Sequence, residues 1–63
     1  MQTIPLKAKV MVLPEFRYEY PDDDNHWTGT TTVYYAAHNN YKVAFTDFAK
    51  DWFPAEQLRV LES

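Results

Sequence analysis

The sequence contains no cysteine and only one glycine among its 63 residues. Without cysteine, neither a disulfide nor a thiolate metal site can supplement the core, and a lone glycine excludes the glycine-rich loops that cradle phosphate groups. No apolar run approaches the roughly 20 residues that a membrane-spanning helix needs, and the N-terminus lacks the hydrophobic stretch of a signal peptide. These absences predict a single domain over residues 1–63, in the cytoplasm and without a cofactor.

Aromatic residues are abundant, with 4 Phe, 5 Tyr and 2 Trp. A chain of this length buries only about 60% of the surface that its unfolded form exposes, so its stability is marginal. Aromatic side chains bury much area each and suit such a small core. Disordered chains are poor in these residues, and the composition therefore predicts a folded domain.

Negative charge is concentrated in one stretch of the chain. The formal net charge is −3, and residues 15–24 hold five acidic residues against a single arginine. A net-acidic surface repels phosphate, which argues against direct nucleic-acid binding, and it favours encounter with a basic protein partner. A basic stripe would form only if the fold brought five residues together: Lys7, Lys9, Lys42, Lys50 and Arg59.

Alternating apolar and polar residues predict β-strands along most of the chain. The expected strands are residues 6–13, 27–37, 41–46, 51–53 and 58–61, and residues 15–20 form either a short edge strand or an extended loop arm. Residues 21–26 form an acidic turn. The hairpin turn at residues 38–40 uses asparagines, which tolerate positive φ. One helical turn over residues 54–57 begins at a proline.

The fold class that follows is all-β, a small five-stranded barrel with one short helical turn before the last strand, because closing the sheet removes its unprotected edges. By alternation, Trp52 points away from the core. The residues expected to point inward are Val10, Val12, Val33, Tyr35, Tyr41, Val43, Phe45, Phe53 and Leu58.

Three short motifs resemble the SH3-like barrel superfamily. They are Trp27-x-Gly29 on a strand, the strand 41–45, and Trp52-Phe53-Pro54 followed by a one-turn helix and Leu58. The resemblance implies that Phe16, Trp27 and Pro54 would line a groove for proline-rich peptides.

The overall spacing is also similar to Tudor-type barrels and to the type II dihydrofolate reductases. The reductases line a shared pore with a Val-Gln-Ile-Tyr segment. This chain has Lys50-Asp51-Trp52-Phe53 at that point, which argues against reductase activity.

The residues give no pattern for catalysis or metal binding. Asp22, Asp24 and His26 alternate like metal ligands, but the sixth and twelfth positions of a calcium-binding loop would need Gly and Glu, and a solvated turn explains the pattern better. The lone serine is Ser63, and His26 and His38 both fall in turns, so a nucleophile with its base is not expected. We expect no catalytic, cofactor-binding or metal-binding residues.

The aromatics left over from the core predict an exposed patch beside the acidic loop, and such patches usually mark interfaces. The expected function is a protein-interaction module for a basic or proline-containing partner. An aromatic cage for a methylated lysine and self-association through a 16–20 edge strand are special cases of this surface. Alternatives are a Tudor- or elongation-factor-like barrel associated with nucleic-acid machinery, and an acidic mimic that blocks a nucleic-acid-binding protein. The candidate partner-binding residues are Phe16, Tyr18, Tyr20, Asp22, Asp23, Asp24, Trp27, Trp52 and Pro54.

Overall fold

The computed structural model describes residues 3–18, 22–46 and 50–62, and their fold is all-β, as predicted. Five antiparallel strands form one sheet in the order β4-β3-β2-β1-β5. No helix in these three ranges is long and apolar enough to span a membrane. The strands are β1 (Lys9–Val12), β2 (Thr28–Tyr35), β3 (Asn40–Phe45), β4 (Asp51–Pro54) and β5 (Leu58–Glu62), and two 3-10 turns cover Pro14–Phe16 and Ala55–Gln57.

The central hairpin and the late helical turn confirm the sequence predictions. β2 and β3 pair antiparallel through a turn in which Asn39 has φ 53°, the left-handed conformation that asparagine tolerates. The 3-10 turn Ala55–Gln57 follows Pro54 directly and leads into β5. The first strand is shorter than the predicted 6–13, because Lys7 has φ 66° and interrupts the extended chain before β1.

Two buried side chains hold the segment before β1 against the sheet. The Thr31 hydroxyl donates to the Pro5 carbonyl at 2.8 Å and accepts the Ala8 N–H at 3.1 Å. The Tyr41 hydroxyl accepts the backbone N–H groups of Thr3 and Ile4 at 3.0 and 2.9 Å. Both hydroxyls are therefore satisfied inside the core, as buried polar groups must be.

A β-bulge in β2 changes which residues point inward. The β2–β3 register pairs Thr31 with Val43 but then Val33 with Lys42, so Thr32 is an extra residue. Gly29 and Thr31 before the bulge are buried, whereas Val33 and Tyr35 after it are 46% and 49% exposed. The prediction that Val33 and Tyr35 fill the core is wrong, because an unpaired residue reverses the alternation of the strand.

The core consists of apolar side chains from β1, β3, β4 and β5, from the segment before β1 and from Trp27 just before β2, and Tyr34 of β2 packs against it. Residues 10, 12, 41, 43, 53 and 58 are buried as predicted, and Phe45 is partly buried against them. The buried apolar residues are Ile4, Ala8, Val10, Val12, Trp27, Tyr41, Val43, Phe53 and Leu58.

The single glycine lies where two strands approach closely. A Cβ atom on Gly29 would collide with the backbone oxygen of Ala44 and lie 2.8 Å from Cγ1 of Val43. Glycine in a strand commonly marks such a close backbone approach. The Trp27-x-Gly29 motif thus joins a buried indole to a tight β2–β3 contact.

The edges of the sheet are β4 and β5. Of the two forms predicted for residues 15–20, the edge strand is absent over the described part, because Pro14–Phe16 is a 3-10 turn and residues 17–18 have no regular structure. Residues 19–20 and 47–49 lie outside the described residues, the latter within a second turn that the sequence predicts near residues 47–50.

Candidate partner-binding surfaces

Arg17 binds two of the three aspartates of the acidic loop. Its Nη1 and Nη2 atoms donate to Oδ1 of Asp22 and of Asp24, both at 3.0 Å, and its Nε donates to the Val12 carbonyl at 3.0 Å. The Arg17 side chain is 3% exposed, while those of Asp22 and Asp24 are 51% and 73% exposed. Burial alone lowers the pKa of Arg17, but the hydrogen bonds and charges of the two aspartates outweigh it and raise the pKa. We call this arrangement the Arg17 clasp.

The rest of the acidic loop is also ordered by internal hydrogen bonds. The Asp23 side chain accepts a hydrogen bond from the His26 N–H at 2.8 Å, and the backbone carbonyl of Asp23 accepts one from the Trp27 N–H at 3.3 Å. The Thr28 hydroxyl donates to the Asp24 carbonyl at 2.6 Å. The loop is exposed, as predicted for a solvated turn, but each of its aspartates makes a contact that shapes the entry into β2.

The metal hypothesis at this loop gains no support from geometry. In the three described ranges, no group of three or more His, Cys, Asp or Glu side chains is placed to hold a metal ion.

Tyr18 covers one end of the core. Its hydroxyl donates to Oδ2 of Asp51 at 2.6 Å. Its ring packs edge-on against Trp27, with centroids 5.0 Å apart, and stacks on Phe53 at 6.3 Å. Tyr18 is nevertheless 56% exposed, and Phe16 in the neighbouring 3-10 turn is 37% exposed. We call Phe16, Tyr18 and Asp51 the Tyr18 surface.

Trp27 belongs to the core and not to a binding groove. It has no exposed surface, and it packs edge-on against Phe45 and Phe53 as well as Tyr18. The expectation that Trp27 contacts a partner is therefore wrong, because three aromatic rings and its own burial leave it inaccessible. With Phe53 only 3% exposed, these rings leave no open cage for a methylated lysine.

Trp52 lies on the surface, as strand alternation predicts. It is 41% exposed, and the register places it opposite Lys42, which in turn lies opposite Val33. The Tyr35 ring lies 6.2 Å from the Trp52 ring at 64°, and Lys42 Nζ lies 5.6 Å from the Trp52 ring centroid, a cation–π geometry. We call Val33, Tyr35 and Trp52 the outer aromatic face.

The predicted partner-binding residues divide between two sides of β4. Asp51 contacts Tyr18 and Phe53 is buried, so both point toward the core side, whereas Trp52 between them points to the outer side. The acidic loop joins the Tyr18 surface through the Arg17 clasp. Pro54 ends β4 and is half-buried, and Tyr20 lies outside the described residues.

The strand register brings three basic residues to the outer side of the sheet. Lys9 pairs with Thr30, Arg59 pairs with Met11, and Lys42 lies under Trp52. Lys9 and Lys7 also line a shallow depression with Thr28, Thr30, Ala44 and neighbouring residues.

Sequence reasoning missed Val33 and Tyr35 as surface residues and Arg17 as a buried cation. The threonine-rich run of β2 carries no mark that distinguishes Thr32 as the extra residue. Arg17 did carry a signal, since it is the one basic residue within the acidic stretch.

Comparison with known proteins identifies no relative: no protein-family model, no curated protein and no solved structure matches this chain.

Proposed function

We propose that this chain is a small cytoplasmic protein-interaction module without catalytic activity, whose sheet curls into an SH3-like barrel left open between β4 and β5. The strand order supports this curl, because β5 returns beside β1 and the five strands share one core. The proposed partner is a proline-containing segment flanked by basic residues.

The outer aromatic face carries the proposal. Val33, Tyr35 and Trp52 are each more than 40% exposed, and the Tyr35 and Trp52 rings are adjacent and inclined. Exposed apolar clusters of this kind on small domains usually mark interfaces, and tyrosine and tryptophan are frequent anchors. Proline-rich segments hold a preformed extended helix and dock on aromatic-lined surfaces at low entropic cost.

Charge supports a position for the basic residues of the proposed partner on the other side of β4. Lys42 beside Trp52 repels a basic residue from the outer aromatic face. Across the β4 edge, Asp51 and the exposed carboxylates of Asp22 and Asp24 attract one. A segment with prolines over Trp52 and an arginine reaching around this edge satisfies both surfaces.

A titration with two synthetic peptides tests the proposal. The probes are a ten-residue polyproline peptide and the same peptide with two arginines at each end, with a glycine–serine peptide of equal length as control. We expect both proline peptides to shift the Trp52 indole N–H signal in NMR spectra and the Trp27 signal to stay in place. The arginine-flanked peptide should bind more tightly at low salt, because exposed charges act over about 10 Å and are screened by added salt.

Two substitutions separate the surfaces. Tyr35→Ala should abolish the shift of the Trp52 signal by both peptides, because it removes the ring beside Trp52. Asp51→Asn on the Tyr18 surface should weaken only the response to the arginine-flanked peptide. Proline peptides that leave the Trp52 signal unchanged at millimolar concentration would contradict the proposed function.

A nucleic-acid-associated role of Tudor or elongation-factor type is a second candidate, favoured by the basic residues of the outer side. Lys9, Lys42 and Arg59 share this side with Trp52, and basic grooves with stacking aromatics bind single strands. Salt-sensitive binding of oligothymidylate, lost in Lys42→Gln, would support this role instead.

A further inference from the structure

The two edges of the sheet differ in their free hydrogen-bonding groups. In β4, the Trp52 N–H is bound at 2.8 Å by the side chain of Asp51, its own neighbour. An N–H bound in this way points away from β3. The backbone nitrogen of Pro54, two residues further along the strand, points in the same direction, but proline has no N–H. The β4 edge therefore offers no free donor to an added strand, one of the known ways of blocking an edge.

The β5 edge keeps a free donor. The Leu13 N–H binds the Gln57 carbonyl at 3.0 Å, which sets the alternation of the β1–β5 ladder. Arg59 then exchanges hydrogen bonds with Met11, and Val60 directs its N–H away from β1. Within the described part of the chain, no strand pairs with this outer edge. Val60 and Leu61 beside it are each 42% exposed.

Charge on β5 is self-complementary in the antiparallel direction. Arg59 pairs with Met11 and Glu62 pairs with Lys9, so the irregularity between them leaves Arg59 and Glu62 on the same outer side. Two copies of β5 that run antiparallel about Val60 place Arg59 of each copy next to Glu62 of the other. A parallel arrangement would instead set like charges beside each other, which destabilises strand pairs.

We propose that a second copy of this chain pairs with the β5 edge, antiparallel and centred on Val60, so that two sheets join into one. Reciprocal bonds between the Val60 N–H and carbonyl, contact between the exposed apolar side chains, and two Arg59–Glu62 pairs hold the dimer. Such an interface is smaller than the 1,200–2,000 Å² of typical stable complexes. The dimer is therefore weak, with a dissociation constant of about 0.1 mM. This proposal does not depend on the peptide-binding function.

Sedimentation velocity over about 10 μM to 1 mM tests the dimer. The parent chain should approach the mass of a dimer at the upper end, and Val60→Pro should stay monomeric. Proline is tolerated at edge positions whose N–H faces solvent, so this variant should keep the fold. If Val60→Pro does not fold, amide exchange on the parent decides: the Val60 N–H should exchange more slowly as concentration rises.

A charge exchange gives the specific control. Arg59→Glu should weaken association by bringing four acidic side chains together, and adding Glu62→Arg should restore it. Trp52→Ala, on the blocked side of the sheet, should dimerise like the parent. A parent chain that remains monomeric at 1 mM overturns the proposal and leaves the edge to a strand of another protein. Association that survives Val60→Pro but is lost in Trp52→Ala overturns it too.

Discussion

Arg17 shows how one basic side chain changes the structural role of an acidic cluster. The sequence places five acidic residues around it, which indicates a solvated loop built for encounter with cations. In the structure its guanidinium is buried and is held by Asp22, Asp24 and the Val12 carbonyl. The loop supplies the partners that a buried cation requires. Its negative charge therefore stabilises the fold, in addition to attracting any ligand.

Neutralising the clasp should therefore destabilise the domain. The double substitution Asp22→Asn with Asp24→Asn leaves the buried Arg17 guanidinium without a counter-charge, and we expect the free energy of unfolding to fall by about 1–3 kcal/mol. Urea denaturation measures it. The matched control, Glu15→Gln with Glu56→Gln, removes the same charge from exposed sites and should change the stability by less than about 0.5 kcal/mol. Equal midpoints for the two double variants would show that the clasp contributes nothing.

At the scale of elements, the bulge at Thr32 decides the surface of the sheet. It turns Val33 and Tyr35 outward and brings Tyr34 to the core side, where its ring lies 4.9 Å from that of Tyr41. Without this extra residue, Trp52 would lack the exposed tyrosine beside it. One unpaired residue thus creates the outer aromatic face.

Two valines on either side of this bulge should respond differently to truncation. Val43 is fully buried and Val33 is 46% exposed. Val43→Ala should reduce the free energy of unfolding by about 1–3 kcal/mol, because it removes buried methyl groups and leaves a cavity. Val33→Ala should cost less than about 0.5 kcal/mol. Similar losses in chemical denaturation would show that the alternation continues unbroken through β2.

Strand content was predictable from sequence, but strand register was not. The alternation of residues 41–45 and the asparagines of the turn led to the correct hairpin, because local preference and burial agree there. The bulge depends on how β2 and β3 meet, and Lys7 takes a positive φ that its residue type does not favour. Both are consequences of tertiary packing, which a single sequence does not display.

On the scale of the whole molecule, the candidate site shows the same contrast between what the local strand pattern predicts and what tertiary packing decides. Alternation alone placed Trp52 on the surface. The SH3-like resemblance assigned Trp27 to a groove, and packing of Tyr18, Phe45 and Phe53 around it excludes that role. The face of a strand on which a residue lies is a local property, whereas the side chains that pack over that residue come from segments distant in sequence.

Stability should decrease from the centre of the sheet toward β5. The Thr31 N–H is buried and bound to the Ala8 carbonyl at 3.0 Å, so it exchanges only when the central strands open. The Val60 N–H faces the free edge. At about 50 μM, where the proposed dimer is mostly dissociated, we expect Thr31 to exchange at least about 100-fold more slowly than Val60. Comparable exchange rates at this concentration would contradict the assignment of β5 as an open edge.

The blocked β4 edge has a consequence for assembly. Extended sheets grow into fibrils when both edges of a unit can recruit further strands. In this chain Asp51 and Pro54 block the β4 edge. Pairing through β5 therefore occupies the remaining edge of both copies, and neither can add a further strand. Because a two-fold contact of this kind is closed, added protein yields more pairs and no polymer.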